Sequence, residues 1–137
     1  MPDRRPDRSL GPGHDVFWEW CAAGELRLQR CGACRHLSWP AVAAACERCD
    51  STDLTWERMS GLGTVVSACT FVTDYYRGAF PLPWDTILVE LDEGALFLSD
   101  PVGFGRDDNG PAMRVAGTFV DCEDSAGAFR LPVFERA

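Results

Sequence analysis

Lysine is absent from this chain: all 13 basic residues are arginine, against 21 acids, for a formal net charge of −8. An arginine-only basic set fits a GC-rich coding sequence, and the acid excess weighs against a surface built for nucleic-acid phosphates. The deficit is uneven. Residues 1–59 hold eight arginines and nine acids, whereas residues 60–137 hold five and twelve. Histidine is scarce, with only His14 and His36, and none lies after residue 60. A nucleophilic Cys or Ser normally needs such a base beside it, so Cys69 and Cys122 have no visible activator. Long apolar runs are missing too, which leaves no segment fit to span a membrane. The opening "MPDRRPDRSLGPGHD" has arginines but no apolar stretch behind them, unlike a secretory signal. It reads as a flexible leader, residues 1–13, of a cytoplasmic protein whose reducing surroundings disfavour disulfides.

What is present is a core's worth of apolar residues, 46% of 137. "HDVFWEWCAAG" predicts a short helix, with Asp15 as its N-cap and Gly24 as its stop. Its aromatics, Phe17 and Trp18, are expected to dock the helix on its own body, with a partner-facing anchor as the competing role. "ELRLQR" and "DLTWERM" alternate apolar and polar residues and are expected to pair across a knuckled loop. Five further β-rich runs follow: "GLGTVVSACTFVT", "DTILVELD", "GALFLSDPVG", "AMRVAGTFVDCED" and "AFRLPVF". Gly, Pro, Asp and Asn clusters separate them. Five short strands with no long helix predict a five-stranded barrel of the oligonucleotide/oligosaccharide-binding (OB) type. The expected organisation is a mostly β chain, with a helix and a knuckled ribbon over 14–59 and the barrel over 60–137.

Seven cysteines are the strongest signal. Cys31, Cys34, Cys46 and Cys49 form C-x2-C-x11-C-x2-C. Each two-residue spacing lets one turn aim both thiolates at one ion, and two such knuckles complete a tetrahedral shell, as zinc prefers in structural sites. Iron in a rubredoxin-type site shares this ligand set. Because all four positions are sulfur, no place is left for a water or substrate, and the metal is scaffolding. His36 reads as a surface residue beside the cage. Cys21, Cys69 and Cys122 read as small buried thiols.

No catalytic residue is assigned. The carboxylate pairs Asp92/Glu93 and Asp107/Asp108 lie in polar, turn-like stretches and read as solvated surface. A binding role has more support. Arg27, Arg30, Arg35, Arg48 and Arg58 crowd the ribbon against five acids, and guanidinium groups suit phosphates. Trp39 and Trp56 can stack on a base. A nucleotide-bearing ligand is expected here, with ion pairing to the acids as the competing role.

The order of elements resembles one family, the acyl-CoA-associated proteins that join a rubredoxin-like zinc ribbon to an OB-type barrel. The resemblance spans about residues 14–136. It rests on the aromatic helix, "GELRLQRCGAC", the second Cys pair, "TWERMSGLGTVVS", "ILVELDEGALFLSDPVG" and "LPVF". Its most specific parts are the cysteine frame, Ser60-Gly61-x-Gly63-Thr64 and Val89-Glu90-Leu91-Asp92-Glu93-Gly94. The resemblance implies a non-catalytic accessory subunit that completes a thiolase-like acyl-CoA enzyme, with a retro-aldol steroid side-chain aldolase the preferred case. It implies structural zinc on Cys31, Cys34, Cys46 and Cys49, a hetero-oligomer, and a coenzyme A thioester as shared ligand. Arg27, Arg30, Arg35 and Trp39 are the expected coenzyme A contacts. Competing assignments are a nucleic-acid-binding ribbon/barrel module and a stand-alone acyl-CoA thioesterase. Two departures stand out: the family often follows each knuckle with glycine, where this chain has Arg35 and Asp50, and often begins the second pair Cys-Pro, where it has Cys46-Glu47.

Overall fold

The computed structural model describes residues 3–38, 44–75, 77–78, 81–108 and 112–137. In chain order these form β1 (Asp3–Arg4), α1 (His14–Ala22), β2 (Arg27–Cys31), β3 (Leu37–Ser38) and β4 (Leu54–Arg58). After them come β5 (Leu62–Phe71), β6 (Trp84–Leu91), β7 (Leu96–Ser99), β8 (Pro101–Val102), β9 (Arg114–Asp124) and β10 (Gly127–Arg136). The chain is mostly strand with one short α-helix among the described residues, as its alternating runs predict.

Helix α1 begins two residues earlier than its sequence indicates. Gly13 is the N-cap, and Asp15 lies in the first turn, where its carboxylate accepts from the Gly11 amide at 3.0 Å. The stop is Gly24, at φ 80°, with its amide on the Cys21 carbonyl and the Glu25 amide on Trp20. That pair of bonds is a Schellman end, which needs a left-handed residue and so favours glycine. The helix buries Phe17 and Cys21 and rests on β10 and β2. Trp18 packs edge-on between Phe17 and Phe129, as expected of a docking aromatic.

The ribbon is a three-stranded sheet ordered β3-β2-β4, and β2 and β4 pair antiparallel from Arg27↔Arg58 to Cys31↔Leu54. The body is a second sheet ordered β7-β6-β5-β9-β10-β8, with β1 laid parallel along the far end of β9. β7 and β8 stand at opposite ends of that order, yet only Asp100 separates them in the chain. The sheet's two ends are therefore joined through a single residue.

Ribbon and body share one core. Phe17, Cys21, Leu26, Leu28 and Met59 cluster with Val65, Ile87, Val89, Leu91, Phe97, Val115 and Phe134. Backbone bonds pin the chain on each side of the junction: Met59 N–H donates to Leu26 within the ribbon at 2.7 Å, and Gly117 N–H to Gly61 within the body at 2.7 Å. The two short motifs that carry the family resemblance meet here. The Glu93 carboxylate accepts from the Ser60 amide at 2.6 Å, and Asp92 holds Arg114 through two bonds of 2.6 and 2.8 Å. Gly63 has no room for a side chain, because a Cβ would lie 2.6 Å from Val89 Cγ1 and 2.7 Å from the Glu90 carbonyl.

Two features differ from the sequence reading. Cys21 and Cys122 are buried thiols, but Cys69 is exposed. A β-bulge between Val65 and Ser67 adds a residue to β5, so the inward positions pass from Val65 to Ala68 and Cys69 turns outward. The leader, expected to be flexible, runs along the body instead. Arg5 Nη1 reaches Asp100 at 2.6 Å, Asp7 accepts from the Ser125 amide at 3.1 Å, and Arg8 forms a two-pronged pair with Asp124.

Candidate metal centre and its surroundings

The end of β2 delivers Cys31, and the first knuckle turns back to place Cys34. The second knuckle, just before β4, places Cys46 and Cys49. The four sulfurs lie within 4.8 Å of one another, with Cys31–Cys49 at 3.5 Å and Cys34–Cys46 at 3.6 Å. A tetrahedron of 2.3 Å zinc–sulfur bonds has edges of about 3.8 Å, so the cage is of zinc's size.

The two knuckles are built alike. The Cys31 amide donates to the His36 carbonyl and the Arg35 amide to the Cys31 carbonyl; Cys46, Ser51 and Asp50 repeat the pattern at 2.8 Å. Arg35 and Asp50 occupy equivalent positions, with φ of 66° and 63°. A left-handed backbone at both places is the conformation that glycine adopts without strain, in keeping with the glycine that the resemblance leads one to expect there. Amides of Cys34 and Arg48 donate to the Cys31 and Cys46 sulfurs at 3.4 Å, as thiolates in such turns require.

Two of the four thiols, Cys31 and Cys49, are driven apart in their ionisation. The Cys34 amide first, and the Ala33 amide after it, lower Cys31 to about 6. Cys49, although the Ser51 amide lowers it, is pushed up to about 12 by its bonds to the Cys31 and Cys34 sulfurs. A divalent cation resolves this conflict by accepting all four as thiolates. Bound there, it cross-links the two knuckles. His36 is no ligand: its Nε2 meets Glu47 Oε1 at 2.8 Å, bridging one knuckle to the other from outside the cage.

The ribbon arginines are largely engaged. Arg27 bonds Glu25 at 2.9 Å and the Trp56 carbonyl at 3.2 Å, and its guanidinium lies 4.0 Å over the Trp20 ring. Arg30 grips Glu57 at 2.8 and 3.1 Å, which holds that carboxyl below its usual range. Arg35 is 65% exposed and touches Glu57 at 3.6 Å. Trp39 lies outside the described residues. Trp56 packs against the core. Asp92 and Glu93, a candidate carboxylate pair, are spent on Arg114 and Ser60, and Asp108 accepts from the Gly105 amide.

A four-sulfur cage between two mirrored knuckles, seated on a strand-rich body, defines a structural zinc ribbon. Residues 18–55 match the family model described as "ChsH2, rubredoxin-like zinc ribbon domain". The chain therefore carries a ChsH2-type zinc ribbon, in agreement with the resemblance drawn from its sequence. Its fold is that of a chain of the solved Ltp2-ChsH2(DUF35) aldolase, with a TM-score of 0.80, 28% identity, and coverage of 95% of this chain and 98% of that one. Among curated proteins it is 31% identical over 128 residues to the 3-oxo-4,17-pregnadiene-20-carboxyl-CoA hydratase alpha subunit of Mycobacterium tuberculosis. It is 28% identical over 135 residues to a probable enoyl-CoA hydratase alpha subunit of Thermomonospora curvata. These alignments take in 89% and 97% of this chain but span 40% of each relative's length. Among the described residues, no helix is long and apolar enough to cross a membrane.

Proposed function

We propose that this chain is a non-catalytic accessory subunit that binds and completes a thiolase-like acyl-CoA enzyme, most specifically a retro-aldol steroid side-chain aldolase. The observation that carries the proposal is the likeness to the Ltp2-ChsH2(DUF35) aldolase chain, which is end to end rather than confined to the ribbon. The names of the curated relatives, both alpha subunits acting on coenzyme A thioesters, support the same reading. In this reading the ribbon with its helix, residues 14–59, and the body, residues 60–137, are two modules. The body is an OB-type barrel, a reading supported by a strand order whose ends are joined at Asp100. The protein works in the cytoplasm. Cys31, Cys34, Cys46 and Cys49 hold zinc as scaffold, and the bond-making groups belong to the partner. Of the proposed coenzyme A contacts, Arg35 is best placed, because Arg27 and Arg30 are already held by acids.

Co-expression with thiolase-like proteins tests this directly. A stable heteromeric complex that cleaves a steroid acyl-CoA, with neither subunit active alone, is the expected result. Free monomer throughout, or robust turnover by this chain by itself, overturns it.

A further inference from the structure

A cavity of about 350 Å³ opens between the leader, α1 and the body, and none of residues 25–58 lines it. Its walls are aromatic: Phe17 and Trp18 from the helix, Phe71, Trp84 and Phe97 from the body strands, and Phe129 from β10. The leader contributes Arg5, Pro6 and Arg8 as a strap along one side. That strap is fastened at both ends. Arg5 pairs with Asp100 while lying 4.7 Å over the Trp84 ring, and Arg8 pairs with Asp124 while lying 4.3 Å over Phe129.

Protein interiors normally close over apolar space, because an empty pocket forfeits packing contacts. Here the fold keeps the space open and flanks it with two ion pairs whose arginine side chains are only 9% and 11% exposed. The charged side chains on the wall, Arg5, Arg8 and Asp100, are each matched by an opposite charge, so an entering group meets no unbalanced charge. The Ser99 hydroxyl is used on the Pro132 carbonyl, and Thr86 adds a second hydroxyl-bearing side chain to the lining. We infer that this cavity binds an uncharged, largely apolar ligand, separately from the zinc cage and from any coenzyme A contact on the ribbon. A dry cavity of about 150 Å³ accepts one benzene ring, so the occupant has the bulk of roughly two such rings or an equivalent alkyl chain. The inference stands whether or not the accessory-subunit reading does.

The test is a fluorescence titration of the zinc-loaded full chain with phenylnaphthylamine, an uncharged aromatic probe. Saturable binding at one site per chain is expected. Leu131→Trp fills the cavity and is expected to weaken binding about tenfold or more. Leu98→Trp, at a lining position that is 59% exposed, weakens it too, and Leu96→Trp, two residues along the same strand and off the cavity, leaves it unchanged. Should Leu131→Trp fail to fold, the Leu98/Leu96 comparison decides alone. Displacement by naphthalene marks a ring-binding site and displacement by decanol a chain-binding one; either supports the inference. No saturable binding, equal affinity in Leu98→Trp and Leu96→Trp, or displacement by neither competitor overturns it.

Discussion

Arg8 and Asp124 meet across 116 residues of sequence in a two-pronged ion pair, Nε to Oδ2 at 2.7 Å and Nη2 to Oδ1 at 3.2 Å. The Arg8 amide and the Ala126 amide complete the shell around the carboxylate, whose side chain is 1% exposed. Removing the arginine strands a buried charge. Arg8→Ala is expected to destabilise the chain at pH 7 by about 3–5 kcal/mol, the usual cost of breaking a buried pair from one side. Arg8 above all holds the Asp124 carboxyl down at about 2. A depressed folded pKa contributes stability above the unfolded value and loses it as pH falls through the folded one, here from about 4 to about 2. In Arg8→Ala, protonation relieves the stranded charge instead. The melting-temperature gap between wild type and variant should therefore narrow as pH falls through that window; a constant gap would refute the account.

One zinc ion per chain is expected in reduced material, with four sulfur neighbours at about 2.3 Å in X-ray absorption spectra. Cys34→Ser should lose most of the metal. Because Leu26, Leu28 and Met59 from the ribbon lie in the common core, the loss should also lower the melting temperature of the body. A body that melts unchanged without metal would show the two parts to be independent.

Arg35 is held at φ 66° with no glycine to ease it. Arg35→Gly is expected to raise stability by up to about 1 kcal/mol, the left-handed penalty less the glycine's extra chain entropy. Asp50→Gly should gain less, because aspartate tolerates that backbone. Calorimetry with coenzyme A separates the two roles of Arg35: Arg35→Gly should weaken any ribbon contact, and Asp50→Gly should not.

Two glycines near the ribbon–body junction make a sharp contrast. Gly63→Ala drives a methyl into Val89 and the Glu90 carbonyl and should cost about 3 kcal/mol, at the upper end for overpacking. Gly94→Ala meets nothing within 4 Å and suffers only the strain of φ 104°. Chemical denaturation of both variants should rank them clearly, with Gly63→Ala the worse.

Local patterns made much of this molecule legible. Two-residue cysteine spacings foretell the cage, and alternation in "ELRLQR" and "DLTWERM" foretells the β2–β4 pairing, because both depend on neighbours in sequence. The bulge at Val65/Ser67 is invisible to alternation, which is why Cys69 is misread as buried. The leader misleads for another reason. Its arginines find acids 95 and 116 residues away, and composition registers polarity without registering partners. Asp15 shows the limit of capping rules where Gly13 already supplies the bend. The joining of β7 to β8 at Asp100 likewise depends on long-range pairing with β10.

The backbone ties at Met59, Ser60 and Gly61 carry a further consequence. With the chain pinned on each side of the junction and Leu26, Leu28 and Met59 buried in the core that both parts share, the ribbon cannot swivel on the body as a tethered finger would. Any macromolecule that docks against both meets a single pre-set relief, and association loses little freedom in aligning one half with the other. Loosening that hinge point should slow recognition even where every contacting side chain is intact.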